Sequence, residues 1–183
     1  MNTADSSLSN ELEGFIRNIP DFPKAGIQFK DITTLLKDGG AFRKVVDWMV
    51  SLYKESSIDK VVAVESRGFI FGAPVAYRLG AGLALVRKKD KLPADKISVK
   101  YELEYGTDEL QMHRDSVKPG DRVLIVDDLL ATGGTTRATI DLLEKIPARP
   151  EGICFLVELD GLGGRDKLQG FPCRSLIKFR CQE

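Results

Sequence analysis

The sequence is poor in the residues that build metal centres and disulfide frameworks. It has one histidine and three cysteines, and the cysteines stand far apart at Cys154, Cys173 and Cys181. No Cys-X-X-Cys pair is present, so the ligand spacing of ordinary zinc sites is missing. An odd number of scattered thiols does not predict a disulfide framework either. These features favour a reducing, cytoplasmic location.

The chain also lacks a net charge and long apolar runs. Lys and Arg number 27, Asp and Glu number 27, and the formal net charge is therefore 0. This balance argues against general electrostatic attraction to nucleic acid, although it allows a local site for a small phosphorylated ligand. No run approaches the roughly 20 apolar residues that span a bilayer, and the N-terminus does not resemble a signal peptide. We expect no nucleic-acid partner and no membrane partner.

What the chain does have is an alternation of apolar runs and helical patterns. Its 183 residues are 43% hydrophobic and 30% charged, a globular composition whose length favours one domain. Short β-branched runs predict strands at 61–66, 82–88, 122–128, 152–159 and 175–179. Helical spacing of apolar residues predicts helices at 8–18, 40–54, 68–80 and 133–146. This order predicts an α/β fold with a central, mostly parallel sheet flanked by helices.

A long charged segment, residues 88–121, interrupts the alternation and contains Pro93, Gly106 and Gly120. Segments of this length in compact domains are usually lids or binding loops. A solvated β-ribbon without a function is the alternative. His113, the single histidine, is expected on a short helix in a structural role.

The strongest functional signal is VLIVDDLLATGGTT, residues 123–136. A buried strand is predicted to end at Asp127 and Asp128, and a turn rich in Thr and Gly then leads into a helix. Ligands of open parallel sheets bind at the carboxyl ends of strands, and N–H groups at a helix N-terminus attract anions. Two adjacent glycines let the backbone turn tightly and approach a ligand closely. The predicted phosphate-binding residues are Ala131, Thr132, Gly133, Gly134 and Thr135.

Asp127 and Asp128 indicate what else the ligand contains. A carboxylate beside a bare phosphate is repelled, whereas it accepts hydrogen bonds well from the two hydroxyls of a vicinal diol. A ribose with a 5-phosphate meets both demands. The alternative is that one of the two aspartates only caps the following turn. The loop lacks the Lys of the GxxxxGK[ST] phosphate loop and the spacing of GxGxxG.

The segment 123–136 resembles the motif by which type I phosphoribosyltransferases bind 5-phosphoribosyl 1-pyrophosphate (PRPP). Similarity to adenine phosphoribosyltransferases extends over PDFPKAGIQFKDIT (20–33), ESRGFIFGAPVAYRLG (65–80), VRKKDKLP (86–93) and YELEYGTDELQMH (101–113). The resemblance implies the type I phosphoribosyltransferase fold in a single domain over 1–183. It implies a small N-terminal hood over about 1–35 and a flexible lid over about 90–120.

The resemblance also implies a reaction. Adenine and PRPP give AMP and pyrophosphate, with Mg²⁺ held mainly through PRPP and water and with no direct protein ligand. The expected assembly is a homodimer. A PRPP-sensing regulator is one alternative, but such proteins add a DNA-binding domain and a basic surface, which this chain lacks. The same chemistry on xanthine, hypoxanthine or orotate is the other alternative.

The resemblance implies two groups of pyrophosphate-binding residues. They are Ser66, Arg67, Gly68, Arg87, Lys88 and Lys91. The first three form a short loop after the first buried strand, where the family often has a non-proline cis peptide. The other three would neutralise pyrophosphate as it leaves, and Arg87 is a candidate for reaching a neighbouring subunit's site. A surface salt bridge for Arg67 and a solvated basic run for the others are the alternatives.

The resemblance also implies the adenine-binding residues, most of which lie in the hood. Phe29 would stack on the purine, and backbone groups near Gln28 and Lys30 would bind its edge. Leu159, at the end of a predicted strand, would close the other face. The family pattern has a small apolar residue at position 28 and Arg at position 30, so side-chain roles are not implied there. Phe29 as an ordinary core residue is the alternative.

The resemblance implies that the catalytic residue lies in the lid. Glu104 would act as general acid/base on the adenine ring, because the purine must lose or shift a proton as its nitrogen attacks. Tyr105 would cover the site, since a closed lid excludes water from the reacting centre. A solvent-facing glutamate on a ribbon is the alternative for Glu104.

Overall fold

The structure, a computed structural model, describes residues 3–103 and 106–180. The chain forms two compact units, Met1–Trp48 and Met49–Glu183. In the part of the chain that the structure describes, each helix is too short or too polar to cross a bilayer.

The first unit contains a β-hairpin with helices before and after it. Its elements are α1 (Thr3–Glu13), β1 (Arg17–Pro20), β2 (Gln28–Asp31), α2 (Thr33–Leu36) and the start of α3 (Gly39–Tyr53). The two strands pair in antiparallel register. The helix α3 agrees with the prediction over 40–54.

The N-terminal helix begins and ends five residues earlier in the chain than predicted. We expected a helix over 8–18, whereas α1 ends at Glu13 and Asn18 pairs with Lys30 in the hairpin. Gly14, a poor helix former, follows α1 directly. Pairing with β2 then binds the backbone groups of the next residues, and it outweighs the helical spacing of their apolar side chains.

A seven-stranded sheet lies in the second unit. Its strands are β3 (Lys60–Val64), β4 (Gly82–Lys88), β5 (Lys96–Leu103), β6 (Gly106–His113), β7 (Arg122–Leu130), β8 (Arg149–Asp160) and β9 (Cys173–Arg180). Their order is β5-β6-β4-β3-β7-β8-β9. Strands β4, β3, β7, β8 and β9 pair in parallel, and β5 and β6 add antiparallel pairs at one edge. The predicted mostly parallel sheet is confirmed.

Helices flank this sheet. The elements are α4 (Gly68–Leu79), α5 (Gly134–Glu144) and a short 3-10 helix (Asp166–Leu168). Helix α4 contacts β3, β4 and β7, and α5 contacts β5, β6 and β8. Helix α4 ends as predicted, at Gly80, whose φ of 67° is a left-handed conformation that glycine adopts without steric cost.

Helix α4 packs very closely on β3. A Cβ placed on Gly72 would lie 2.5 Å from the Cβ of Ala63, which is nearer than two carbon atoms can pack. The strand residues Val61, Val62 and Val64 on either side of Ala63 are fully buried. Only the smallest side chains at positions 63 and 72 allow this spacing between helix and strand.

The charged segment after β4 folds as a β-ribbon. Strands β5 and β6 pair at eight positions, whereas the ribbon joins β4 through two pairs, Arg87 with Gln111 and Lys88 with Leu110. His113 therefore lies in a strand, and the predicted short helix is wrong. Pairing along both edges of β6 decides the conformation here, and it outweighs the helical spacing of positions 110 and 113.

Candidate active site

The segment predicted to bind phosphate connects β7 to α5. Strand β7 runs two residues past the predicted end because its pairing with β8 continues to Leu130 and Glu158. Gly133 has a φ of 75°, in the left-handed region, and no side chain caps the helix that begins at Gly134. The first N–H groups of a helix lack partners within it, and the helix dipole favours an anion at this end. Residues 131–135 therefore have the chemistry of an anion site.

A second loop, residues 161–166, packs against residues 131–135. A Cβ placed on Gly133 would lie 2.6 Å from the carbonyl oxygen of Gly164. A Cβ placed on Gly164 would lie 2.1 Å from the carbonyl oxygen of Ala131. Sequence reasoning missed this contact, and its only signal was the Gly-Leu-Gly-Gly run at 161–164.

The two aspartates of β7 lie beside the loop that follows β3. Asp128 Oδ2 is 2.8 Å from Nε of Arg67. A Cβ placed on Gly68 would lie 2.8 Å from Oδ1 of Asp127, so the backbone of this loop touches the carboxylate. The structure thus brings together the predicted ribose-binding aspartates and the first group of predicted pyrophosphate-binding residues.

Burial raises the pKa of both carboxyl groups. The rise is large for Asp127, and the neighbouring charge of Asp128 adds to it. Burial likewise raises the pKa of Asp128, although the positive charge of Arg67 opposes the rise. Hydroxyl groups that donate to these oxygens would stabilise their charged forms, and a ribose diol supplies two such groups.

The loop after β3 has a cis peptide bond between Glu65 and Ser66, where the resemblance implied a non-proline cis peptide. Glu65 was missed by sequence reasoning. Its carboxylate accepts hydrogen bonds from Arg87 Nε at 3.3 Å, Arg87 Nη2 at 3.2 Å and the backbone N–H of Lys88 at 3.0 Å. Arg87 also donates to the carbonyl oxygen of Lys91 at 3.0 Å. Glu65 therefore holds Arg87 and the backbone of Lys88 next to the loop that follows β3.

The partners of Glu65 stabilise the charged form of its carboxyl group. Burial raises its pKa, but the hydrogen bonds from Arg87 and from the backbone of Lys88 outweigh burial and leave the pKa below its ordinary value. Glu65 is consequently ionised at neutral pH, and its pairing with Arg87 is a charged one.

Strand β5 of the ribbon lies against the N-terminus of α5. A Cβ placed on Gly134 would lie 3.6 Å from the carbonyl oxygen of Glu102 and 3.7 Å from the ring of Tyr101. Burial raises the pKa of Tyr101, and a hydrogen bond with Thr135 opposes that rise. Tyr101 was not predicted, and it links the ribbon to the candidate phosphate loop.

Glu104 and Tyr105, the predicted catalytic and lid residues, lie outside the described residues. They follow Glu102 along the chain by two and three positions, respectively. Their roles stay predictions.

The predicted hood residues form part of β2 in the first unit. Phe29 packs edge-to-face on Phe22, with ring centroids 5.2 Å apart. The side chain of Gln28 accepts a hydrogen bond from Asn18 at 2.7 Å, and Lys30 Nζ donates to the side-chain oxygen of Asn18 at 3.1 Å. The side chains at 28 and 30 are thus bound to their own hairpin, which is compatible with recognition of a base by backbone groups.

A cavity of about 280 Å³ lies at the carboxyl end of β8. Leu130, Ala131 and Leu159 form part of its lining, and the loop 161–166 supplies much of the rest. Leu159, the second predicted adenine contact, is half-buried. The structure therefore places Leu159 and the first residue of the candidate phosphate loop on one cavity.

Comparison with known proteins accords with this geometry. The phosphoribosyl transferase domain family matches residues 31–172. The adenine phosphoribosyltransferase of Desulfitobacterium hafniense is 56% identical over 169 residues, which cover 92% of this chain and 98% of that protein. This chain belongs to the adenine phosphoribosyltransferase family.

Solved structures of adenine phosphoribosyltransferases share the fold. The enzyme from Thermoanaerobacter pseudethanolicus superposes with a TM-score of 0.90 at 53% identity, covering 93% of this chain and 99% of that one. The Saccharomyces cerevisiae enzyme, in complex with adenine and an imino-altritol bisphosphate, superposes with a TM-score of 0.89 at 37% identity and the same coverage of both chains. The predicted adenine phosphoribosyltransferase family and type I phosphoribosyltransferase fold are confirmed.

Proposed function

We propose that this enzyme transfers the 5-phosphoribosyl group of PRPP to adenine, giving AMP and pyrophosphate in purine salvage. One observation carries the residue assignment. At the carboxyl ends of β3 and β7, an uncapped helix N-terminus lies next to two buried aspartates that contact Arg67 and Gly68. Such a site offers an anion pocket and two diol acceptors in one segment of the chain, with a cation 2.8 Å from one of the two acceptors.

The 5-phosphate binds to residues 131–135. Backbone N–H groups at the start of α5 donate to the phosphate oxygens, and the helix dipole adds a favourable field. The hydroxyls of Thr132 and Thr135 supply further donors. The positive φ of Gly133 supports this role, because it turns the chain sharply between strand and helix.

The ribose hydroxyls donate to the carboxylates of Asp127 and Asp128. Charge-assisted hydrogen bonds of this kind are about twice as strong as neutral ones. The burial of both aspartates supports the assignment, since few water molecules compete for their oxygens in a buried site.

Pyrophosphate binds between the loop after β3 and the end of β4. Ser66, Arg67 and Gly68 contact it from the loop after β3, and Arg87, Lys88 and Lys91 contact it from the end of β4. The bonds from Arg87 to Glu65 and to the Lys91 carbonyl support this placement. Positive charge here stabilises the negative charge that develops as the bond from C1 to pyrophosphate breaks.

Adenine stacks on Phe29, and backbone groups near Gln28 and Lys30 bind its edge. Leu159 is the other predicted adenine-binding residue. The purine nitrogen forms a bond to C1 while pyrophosphate departs, and the proton of the purine passes to the carboxylate of Glu104. Tyr105 covers the site and excludes water from the electron-poor C1. The packing of Tyr101 and Glu102 on α5 supports these roles, because it brings the ribbon to the phosphate loop.

The residues fit a magnesium ion that is bound mainly through the substrate. Mg²⁺ prefers oxygen ligands and often binds through one or two carboxylates, substrate phosphates and water. Within residues 3–103 and 106–180, no cluster of three metal-binding side chains is present. We expect the oxygens of PRPP and water to hold the ion, which would neutralise pyrophosphate charge.

We further propose a homodimer in the cytoplasm. The scattered cysteines, of which Cys154 and Cys173 are free, support a reducing compartment. Membership of the family supports the homodimer, and Arg87 is the candidate residue for reaching a neighbouring subunit's site.

The reaction is tested with a panel of free bases. Adenine, hypoxanthine, guanine, xanthine and orotate are each incubated with PRPP and Mg²⁺, and nucleotide and pyrophosphate are measured. We expect AMP and an equal amount of pyrophosphate from adenine. Product from another base alone would contradict the adenine assignment. PRPP binding without product from any base would indicate a PRPP-sensing regulator.

A further inference from the structure

The loop 161–166 touches residues 131–135 backbone to backbone. The space for a Cβ at Gly164 is filled by the carbonyl oxygen of Ala131 and, about 3.0 Å away, by the side chain of Leu130. The space for a Cβ at Gly133 is filled by the carbonyl group of Gly164. These contacts involve carbonyl groups and Cα atoms of the phosphate loop. They do not use the N–H groups that would bind the phosphate.

Arg165, the next residue, is bound on several sides. Its Nε and Nη2 donate to the two carboxylate oxygens of Glu158, each at 2.6 Å. It also donates to the carbonyl oxygen of Cys173 at 3.1 Å and to Oγ of Ser175 at 3.3 Å. A bidentate pair with further acceptors fixes the plane of the guanidinium, and with it the chain at position 165.

Glu158 is buried and charged, so its position in this ion pair is fixed. Its side chain is 4% exposed, and it lies in β8 opposite Leu130 of β7. Burial raises the pKa of Glu158, but hydrogen bonds from Arg165 and Ser175 outweigh burial and leave it below the ordinary value. Lys178 adds a third charge, with Nζ 3.5 Å from the carboxylate. Glu158 is ionised at neutral pH, so its pair with Arg165 persists there.

We propose that Gly164, Arg165 and Glu158 are positioning residues that hold residues 131–135 in the conformation that binds the 5-phosphate. This inference rests on the proposed function of that loop. Glu158 and Arg165 anchor the loop 161–166, and Gly164 then sets how far the phosphate loop can move toward it. None of the three needs to contact the substrate.

Affinity for AMP and for adenosine tests the proposal, because the two ligands differ only in the 5′-phosphate. Binding is measured by calorimetry for wild type and for Gly164→Ala and Arg165→Met. We expect wild type to bind AMP more tightly than adenosine. In both variants we expect AMP affinity to fall about 10-fold or more, the effect of losing a bond to a charged group. Adenosine affinity should change less than about two-fold, because these contacts lie on the phosphate loop.

Two controls separate positioning from general stability. Gly39→Ala adds a methyl group where no atom lies within 4 Å, and Arg122→Met removes an arginine whose Nε is 3.1 Å from Glu151. Both should leave the AMP-to-adenosine ratio unchanged, whatever they do to the urea midpoint. Arg165→Lys keeps the charge without the bidentate geometry, and it should restore part of the ratio.

Each outcome decides between the two proposals. A wild-type protein that binds AMP no better than adenosine would overturn two proposals: that residues 131–135 bind the phosphate, and that Gly164, Arg165 and Glu158 position them. A preference for AMP that Gly164→Ala and Arg165→Met retain in full would overturn the positioning role alone. If Gly164→Ala does not fold, Arg165→Lys and Glu158→Gln supply the same comparison.

Discussion

Arg67 and Asp128 form an ion pair, with 2.8 Å between Nε and Oδ2, that joins the loop after β3 to strand β7. The aspartate side chain is 6% exposed and the arginine side chain is 34% exposed. The carboxylate is therefore almost fully removed from water, whereas the guanidinium that pairs with it remains partly accessible. In the proposed site, pyrophosphate would be a second anion for Arg67.

Replacing Arg67 with methionine should destabilise the protein in a pH-dependent way. The buried carboxylate of Asp128 loses its partner, which costs about 1–3 kcal/mol of unfolding free energy. The folded-state pKa of Asp128 rises further, so the loss is largest at pH 8 and shrinks as the pH falls and the group is protonated. Urea unfolding at pH 8 and pH 5 measures this difference. The PRPP KM should rise as well.

Two further variants check the Arg67 prediction. Arg67→Met with Asp128→Asn should recover stability at pH 8, because the Asp128 charge that lost its partner is removed as well. Arg114→Met breaks an exposed pair with Asp95 and should change stability by less than about 0.5 kcal/mol. An equal loss at both pH values would contradict the proposed dependence of Asp128 on Arg67.

Glu104→Gln should lower kcat by about 10²–10⁴-fold, the usual contribution of a general acid/base. The amide cannot take the purine proton, yet it keeps the size of the side chain. The KM for PRPP should stay within about two-fold of wild type, since Glu104 does not hold the phosphates. Steady-state kinetics with adenine varied and PRPP varied separate these effects. Glu55→Gln, at an exposed position, is the matched control, and an unaltered kcat in Glu104→Gln would remove the acid/base role.

Asp127→Asn with Asp128→Asn should weaken PRPP binding while the protein stays folded. Each lost hydrogen bond to a charged group is worth about 1.5–3 kcal/mol, so affinity should fall by about 100-fold or more. The fold tolerates the change because asparagine has the same shape and avoids burying two charges. Calorimetric titration with PRPP measures the affinity, and urea unfolding measures stability. Asp95→Asn, at an exposed carboxylate, controls for loss of charge. Unchanged PRPP affinity in the double variant would disprove the ribose assignment.

Asp31 should give the first unit a stability that disappears in acid. Hydrogen bonds from Thr33 and Arg17 lower the pKa of Asp31 from 3.8 to about 2. A lowered folded-state pKa stabilises the protein above the unfolded-state value and loses that effect as the pH falls toward 2. Wild type and Asp31→Asn should therefore differ most in urea midpoint above about pH 5 and converge near pH 2. Arg17→Met leaves the Thr33 bonds in place and should retain most of this pH dependence. Parallel pH profiles of wild type and Asp31→Asn would contradict the prediction.

The parallel part of the sheet could be predicted because its strands are buried on both faces. Such strands are continuous apolar runs rich in β-branched residues, as in Val61–Val64 and Val123–Val126, and they leave a clear signal in sequence. Their connecting helices also have caps that sequence shows, such as Gly80 after α4. For residues 88–121 the residue pattern indicated a β-ribbon only as an alternative to a lid or binding loop. Its strands are charged, and their pairing with β4 and with each other leaves no apolar run to predict them.

The candidate site divides along the same line. Asp127, Asp128 and the loop 131–135 stand together in one segment, so their chemistry could be inferred from residue types and order. Glu65 and Gly164 could not, because each acts on a partner far along the chain. A lone glutamate and a glycine run have many ordinary explanations. Their meaning depends on distances to Arg87 and Ala131 that only the folded chain defines.

The contact between Gly72 and Ala63 has a consequence for how variants of this enzyme are classified. Any side chain at position 72 must push α4 away from β3, and the loop that holds Arg67 and Gly68 leads directly into α4. A residue that never meets a substrate would then behave, in a screen scored by growth or turnover, like a residue of the catalytic centre. Measuring thermal stability beside activity would sort such scaffold positions from those that touch the reactants.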